Sequence, residues 1–70
     1  METIGQNIVR LQELIHTPVI PPPAWIAKWQ TEAEHVLFLA HNAKDENDIE
    51  QLRMLDAEAE RLVREREART

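Results

Sequence analysis

The sequence predicts an all-α fold: an antiparallel helical hairpin over about 23–43 and 47–66, preceded by a short helix over about 3–16 on a proline-rich elbow, the whole associating as a homodimeric helical bundle. Three observations carry that expectation. The composition suits helix, with one Gly, no Tyr and an abundance of Ala, Glu, Leu and Arg. Apolar residues return at spacings of three and four along three separate stretches. All four prolines fall between positions 18 and 23, which confines helix breaking to one boundary.

The dimer follows from the middle of the chain. Val36, Leu37, Phe38, Leu39 and Ala40 form an unbroken apolar run, and at about 100° per residue it sweeps about 400° of a helix, more than one packing face covers. A chain of 70 residues is a single domain, 1–70, and a chain of that size buries only about 60% of its unfolded surface. With no cysteine it has no disulfide to add. The missing cover then comes from a second copy or from a target protein.

The first helix opens on Thr3-Ile4-Gly5-Gln6, which has the form of a capping box. Ile4, Ile8, Leu11 and Ile15 recur at helical spacing, Val9 and Leu14 widen the stripe, and Gly5 weakens the start. The linker 17–23, from Thr17 to Pro23, cannot be helical, because proline lacks an amide hydrogen and drives its predecessor towards extended geometry. It reads as a rigid elbow pinned by Val19 and Ile20, with Pro23 in the first turn of the next helix. Pro18 and Pro21 also match the loose spacing by which aromatic grooves take proline-rich ligands.

In the second helix Trp25, Trp29, Val36, Leu39 and Ala43 lie on one seam, and Ile26, Ala33, Leu37 and Ala40 on an adjoining one. Two seams imply two packing partners: the third helix, and either the first helix or a dimer mate. His41 to Glu46 reads as the turn, with Lys44 at the closing end of one helix. Asn47-Asp48-Ile49-Glu50 supplies an N-cap candidate with an acid three residues on, and Asp45 is the alternative cap. So short a connection makes the two helices antiparallel neighbours. Along the third helix Ile49, Leu52, Leu55, Ala59, Leu62 and Val63 make a narrow stripe. Glu60 with Arg64, and Glu65 with Arg69, stand in the favourable i,i+4 order. The expectation is a helix covered on one side only, fraying beyond Val63.

Charge narrows the function. Up to Lys44 four acids face three bases, a balance of −1, and from Asp45 onward nine acids face five arginines, a balance of −4. Direct nucleic-acid binding is disfavoured, since its footprint is a basic stripe, whereas a basic protein partner is permitted. No stretch approaches 18 apolar residues, and no charged segment followed by an apolar one opens the chain. The reading is a cytoplasmic protein with no membrane association.

Catalytic chemistry finds little support. Glu32-x-x-His35 has the spacing by which di-iron bundles present ligands from one helix, but the third helix places no Glu on its apolar stripe to complete such a site. His35 and His41 are six apart and face different ways, and His16 falls at a helix end, where histidines commonly cap. There is no Cys or Ser, the threonines lack a base with an orienting acid, and Gly5 alone makes no phosphate loop. The expectation is a non-enzyme without metal or cofactor.

Trp25 and Trp29, one turn apart after the elbow, are the strongest binding candidates, with core packing as their alternative role. Phe38 and Met54 fall off the stripes and suggest an exposed apolar patch, rimmed by Arg53, Arg61 and Arg64. The expected partner or dimer interface is therefore Trp25, Ile26, Trp29, Val36, Leu37, Phe38, Leu39, Met54 and Arg61. Size and chemistry together point to a small acidic interaction module that binds and inhibits or modulates a larger protein, as small phage- or mobile-element-encoded inhibitors of host regulators do. The alternative is a structural or adaptor subunit of a larger helical assembly. A nucleic-acid-linked regulator ranks below both, because acids interleave the arginines from Glu58 to Glu67.

Overall fold

The computed structural model describes residues 5–69. Its helices are α1 (Gln6–Ile15), α2 (Ile26–Asp45) and α3 (Ile49–Arg69), and no strand occurs among the described residues, so the all-α prediction holds. The capping box at Thr3 and Ile4 lies outside those residues. The helices run up, down and up. A three-residue turn reverses the chain between α2 and α3, while Asn7 meets Asp56 and Leu14 meets Arg66, which sets α1 parallel to α3.

The two seams expected on α2 merge into one. Its buried residues are Trp29, Ala33, Val36, Ala40 and Ala43, spaced four, three, four and three, as in a coiled-coil seam. Leu55, Ala59, Leu62 and Arg66 repeat that spacing on α3. Ala33 and Ala59 are fully enclosed, and such small side chains let helices approach closely. Trp29 is a core residue. Its indole Nε1–H donates to the Leu62 carbonyl at 2.8 Å, satisfying the polar edge that a buried Trp brings with it.

Two expectations about α3 are corrected. It is covered on two sides, because α1 packs against it about as closely as α2 does, and α1 touches α2 less. Nor does helical structure stop soon after Val63: α3 continues to Arg69. The anchor is polar. Arg66, only 5% exposed, donates from Nη1 to the Leu14 carbonyl and from Nη2 to the Thr17 carbonyl at 2.5 Å, and its guanidinium lies 4.8 Å from the centroid of the Trp29 ring. Arg69 covers Trp25 in the same manner at 5.3 Å. A guanidinium thus closes the apolar seam and holds the negative end of α1. Burial pushes its pKa down from the usual guanidinium range.

The helix ends explain the remaining boundary differences. At its start α2 begins at Ile26 and not at about 23, because the Pro23 carbonyl accepts from the Ile26 amide at 3.1 Å in a tight turn, so Pro23 stands before the helix and not in its first turn. Asn47 adopts φ 57°, and the amides of Asn47 and Asp48 donate to the carbonyls of Lys44 and Ala43, which is a Schellman closure. Asparagine tolerates that left-handed geometry, so α2 extends to Asp45, two residues beyond the expected end. Asp48 caps α3 through Oδ1, accepting from the Gln51 amide at 3.1 Å, in place of Asp45. At the start of α1, Gly5 takes φ 100° and offers no side-chain cap. The cap comes from another helix: Asp56 Oδ1 accepts from the amides of Asn7 and Ile8 at 3.0 and 3.3 Å, and Oδ2 accepts from the Asn7 side chain at 3.1 Å.

In the linker the Ile20–Pro21 bond is cis, and Val19 is half-buried while Ile20 is exposed, so Ile20 does not pin the elbow as expected. Arg66 does so instead, through Thr17. On the surface of α3 Glu60 and Arg64 pair at 2.6 Å, and Glu65 and Arg69 at 3.6 Å, as their spacing predicted. Exposed pairs of this kind contribute a few tenths of a kcal/mol each.

Candidate functional site

The residues expected to bind a partner divide between core and surface. Trp29 and Val36 are buried in the molecule's own seam. Trp25, Ile26, Leu37 and Leu39 are half-buried and pack against that core. Phe38 and Met54 are 63% and 67% exposed, and Arg61 is exposed with its guanidinium shared between Glu58 and Glu65 at 3.2 and 3.4 Å. Phe38 is two residues from both Val36 and Ala40, hence about 200° around the helix from each. It stands opposite the seam.

The neighbours of Phe38 on its own face are Glu34, His35, His41 and Asn42, at three and four residues' distance, and all are exposed. A single aromatic ring is therefore set in a polar surround, with Leu37 and Leu39 on its two flanks. Met54 projects from α3, a different helix. The structure does not gather the expected nine residues into one patch; it separates a buried set from an exposed one.

A concavity that the sequence reading missed lies on the Leu37 flank. Ile8, Val9 and Gln12 of α1, Leu37, Ala40, His41 and Lys44 of α2, and Leu52 of α3 line a cleft of about 480 Å³, with Gly5 and His16 at its edges. It exists because α1 leans towards α3 and leaves its seam with α2 partly open. The available signal was Val9, which widens the stripe of α1 yet is 57% exposed. A second cleft of about 420 Å³ lies at the other end of α1, between the linker, Ile26 and Arg66.

Glu32 and His35 are both exposed, and the described residues contain no group of three or more His, Asp or Glu side chains placed to hold a metal ion. His41 faces Asp45 one turn on, at 3.6 Å. No helix among the described residues is long and apolar enough to cross a membrane. Fold and surface together define a class: a small three-helix bundle with unpartnered apolar side chains on α2 and an open groove beside them. Comparison with family models, with curated proteins and with solved structures finds no match to this chain.

Proposed function

We propose that this chain is a small acidic, non-enzymatic interaction module that docks on a larger protein and inhibits or modulates it. The observation that carries the reading is the incomplete cover of α2, where Val36 and Ala40 are buried but Phe38 is 63% exposed between half-buried Leu37 and Leu39. Burying a large apolar side chain is worth about 1.5–3 kcal/mol, and aromatic side chains, Phe included, are enriched at the cores of interfaces inside a polar rim. A cytoplasmic setting belongs to the same proposal, and a chain without cysteine is compatible with a reducing compartment.

The test is Phe38→Ser in affinity capture from the source cell's lysate, with mass spectrometry of what is retained. Phe38 is 63% exposed and stands opposite the buried seam, so helicity by circular dichroism should be unchanged while the captured protein is lost. Light scattering on the purified chain separates a self-partner from a foreign one. Unaltered capture by the variant would remove Phe38 and the reading built on it.

A further inference from the structure

We infer that this chain pairs with a second copy of itself by exchanging α1, each molecule seating the other's first helix where its own now lies. The inference goes beyond the proposed function, since the exposed face of α2 around Phe38 takes no part in it. The structure shows what fits the seat on the α2–α3 hairpin, because residues 5–17 already fill it. Leu11 is fully enclosed there, and Ile8, Leu14 and Ile15 pack against the same core. Asp56 caps the first turn through the amides of Asn7 and Ile8, and Arg66 donates to the Leu14 and Thr17 carbonyls. Each of these hydrogen bonds joins a residue no later than Thr17 to one on α3. All of them re-form when the helix comes from another copy, so exchange changes only the path of the linker. A foreign helix must match the apolar stripe and also end at the right distance for both Asp56 and Arg66; a second copy does so by construction.

The linker supplies the hinge. Between Thr17 and Trp25 lie residues 18–24, of which only Val19 and Pro23 are half-buried, while Ile20 is 86% exposed. From Pro18 to Pro22 the chain makes no hydrogen bond among the described residues. In the closed molecule this stretch doubles back, since Ile15 and Ile26, which end α1 and begin α2, line one cleft. Seven extended residues reach about 22 Å, whereas packed helices lie only about 8–10 Å apart. All four prolines fall within 18–23 and favour the extended course. A straightened hinge carries α1 past its own hairpin and within reach of another. The tethered helix competes at an effective concentration of about 1 mM for a short linker, so exchange sets in as the protein approaches that concentration.

The full chain is unfolded in urea and refolded at about 1 mM and at about 10 µM, then separated by size-exclusion chromatography with light scattering. A dimer should form at the higher concentration only. In a mixture of isotope-labelled and unlabelled chains, filtered NOEs from the Asn7 and Ile8 amides to the Asp56 side chain should then cross between molecules. Deleting residues 20–22 shortens the hinge and should tighten the dimer at least about tenfold, whereas Pro18→Gly with Pro22→Gly makes reversal easier and should weaken it by a similar factor. Phe38→Ser should leave the dimer as it is. A chain that stays monomeric at both concentrations overturns the inference, as do Asn7–Asp56 NOEs that remain within one molecule of a dimer. A dimer lost with Phe38→Ser also overturns it, for the copies then meet face to face through α2.

Discussion

Replacing Arg66 with Ala should release α1 from the hairpin before the hairpin itself loosens. The side chain is 5% exposed and joins three elements: α3, which carries it; the Leu14 carbonyl in the last turn of α1 and the Thr17 carbonyl just beyond it; and the Trp29 ring of α2. Hydrogen bonds to a charged group are worth about 1.5–3 kcal/mol each, and a cation over an indole adds about 0.5–2 kcal/mol. Two effects reduce the total. Burying the guanidinium costs desolvation, the same cause that lowers its pKa, and the exposed Thr17 regains water at its carbonyl once the arginine is gone. A net loss of about 2–3 kcal/mol follows, against a whole-domain stability of about 4–10 kcal/mol for a chain of this length. Urea unfolding followed by Trp fluorescence measures the loss, because both indoles sit beneath arginines of α3. Hydrogen exchange locates it: protection should fall first at Leu11 to Ile15. Arg66→Lys keeps the charge but not the fork that reaches two carbonyls, so it should recover only part. A change below about 0.5 kcal/mol, or loss of protection spread evenly over all three helices, would refute the assignment of Arg66 as the clasp.

Two further substitutions probe the other determinants of the fold. Asp56→Ala removes the acceptor that caps α1 from α3 and should cost about 1–2 kcal/mol in urea unfolding, with faster exchange at the Asn7 and Ile8 amides and little change in α2. Ala59→Leu inserts a branched side chain where Ala59 is fully enclosed in the α2–α3 seam. Overpacking of this kind should cost about 1–3 kcal/mol, visible as a lowered midpoint in thermal unfolding.

The helices were legible because their apolar residues recur at the period of the structure that buries them. Leu55, Ala59 and Leu62 follow from spacing alone, whereas the same spacing puts Trp29 and Val36 on a seam without deciding between the chain's own core, where they lie, and the partner surface expected of them. What escaped was the polar side of the assembly. Arg66 occupies the next seam position after Leu62, but an arginine does not read as an anchor until two carbonyls and an indole are seen to surround it. Asp56 caps a helix 48 residues away, and no local motif encodes such a cap. Those two side chains fix where α1 lies, so its placement, and the cleft that the placement leaves open, could not be read from the sequence. Phe38 and Met54 were legible as surface residues because they break the stripe; their separation onto different helices was not.

The Val36–Ala40 run imposes a geometric choice that the bundle settles in one way. Its two ends point within about 40° of each other and its middle points about 200° from either, so any packing that buries the ends turns Phe38 away. Neither α1 nor α3 encloses it in this molecule, and the far side of α2 stays open around Phe38. The exposed large apolar side chains are distributed over the molecule, with Val9 on α1, Phe38 on α2, Ile49 and Met54 on α3, and Ile20 in the linker. Permanent interfaces commonly bury about 2,000 Å² or more of mainly apolar surface. One ring in a ring of polar neighbours, beside a short trough, suits a smaller and reversible contact. Under the proposed function a partner is held through Phe38 as a discrete anchor, and removing that anchor should alter the rate of release far more than the fold.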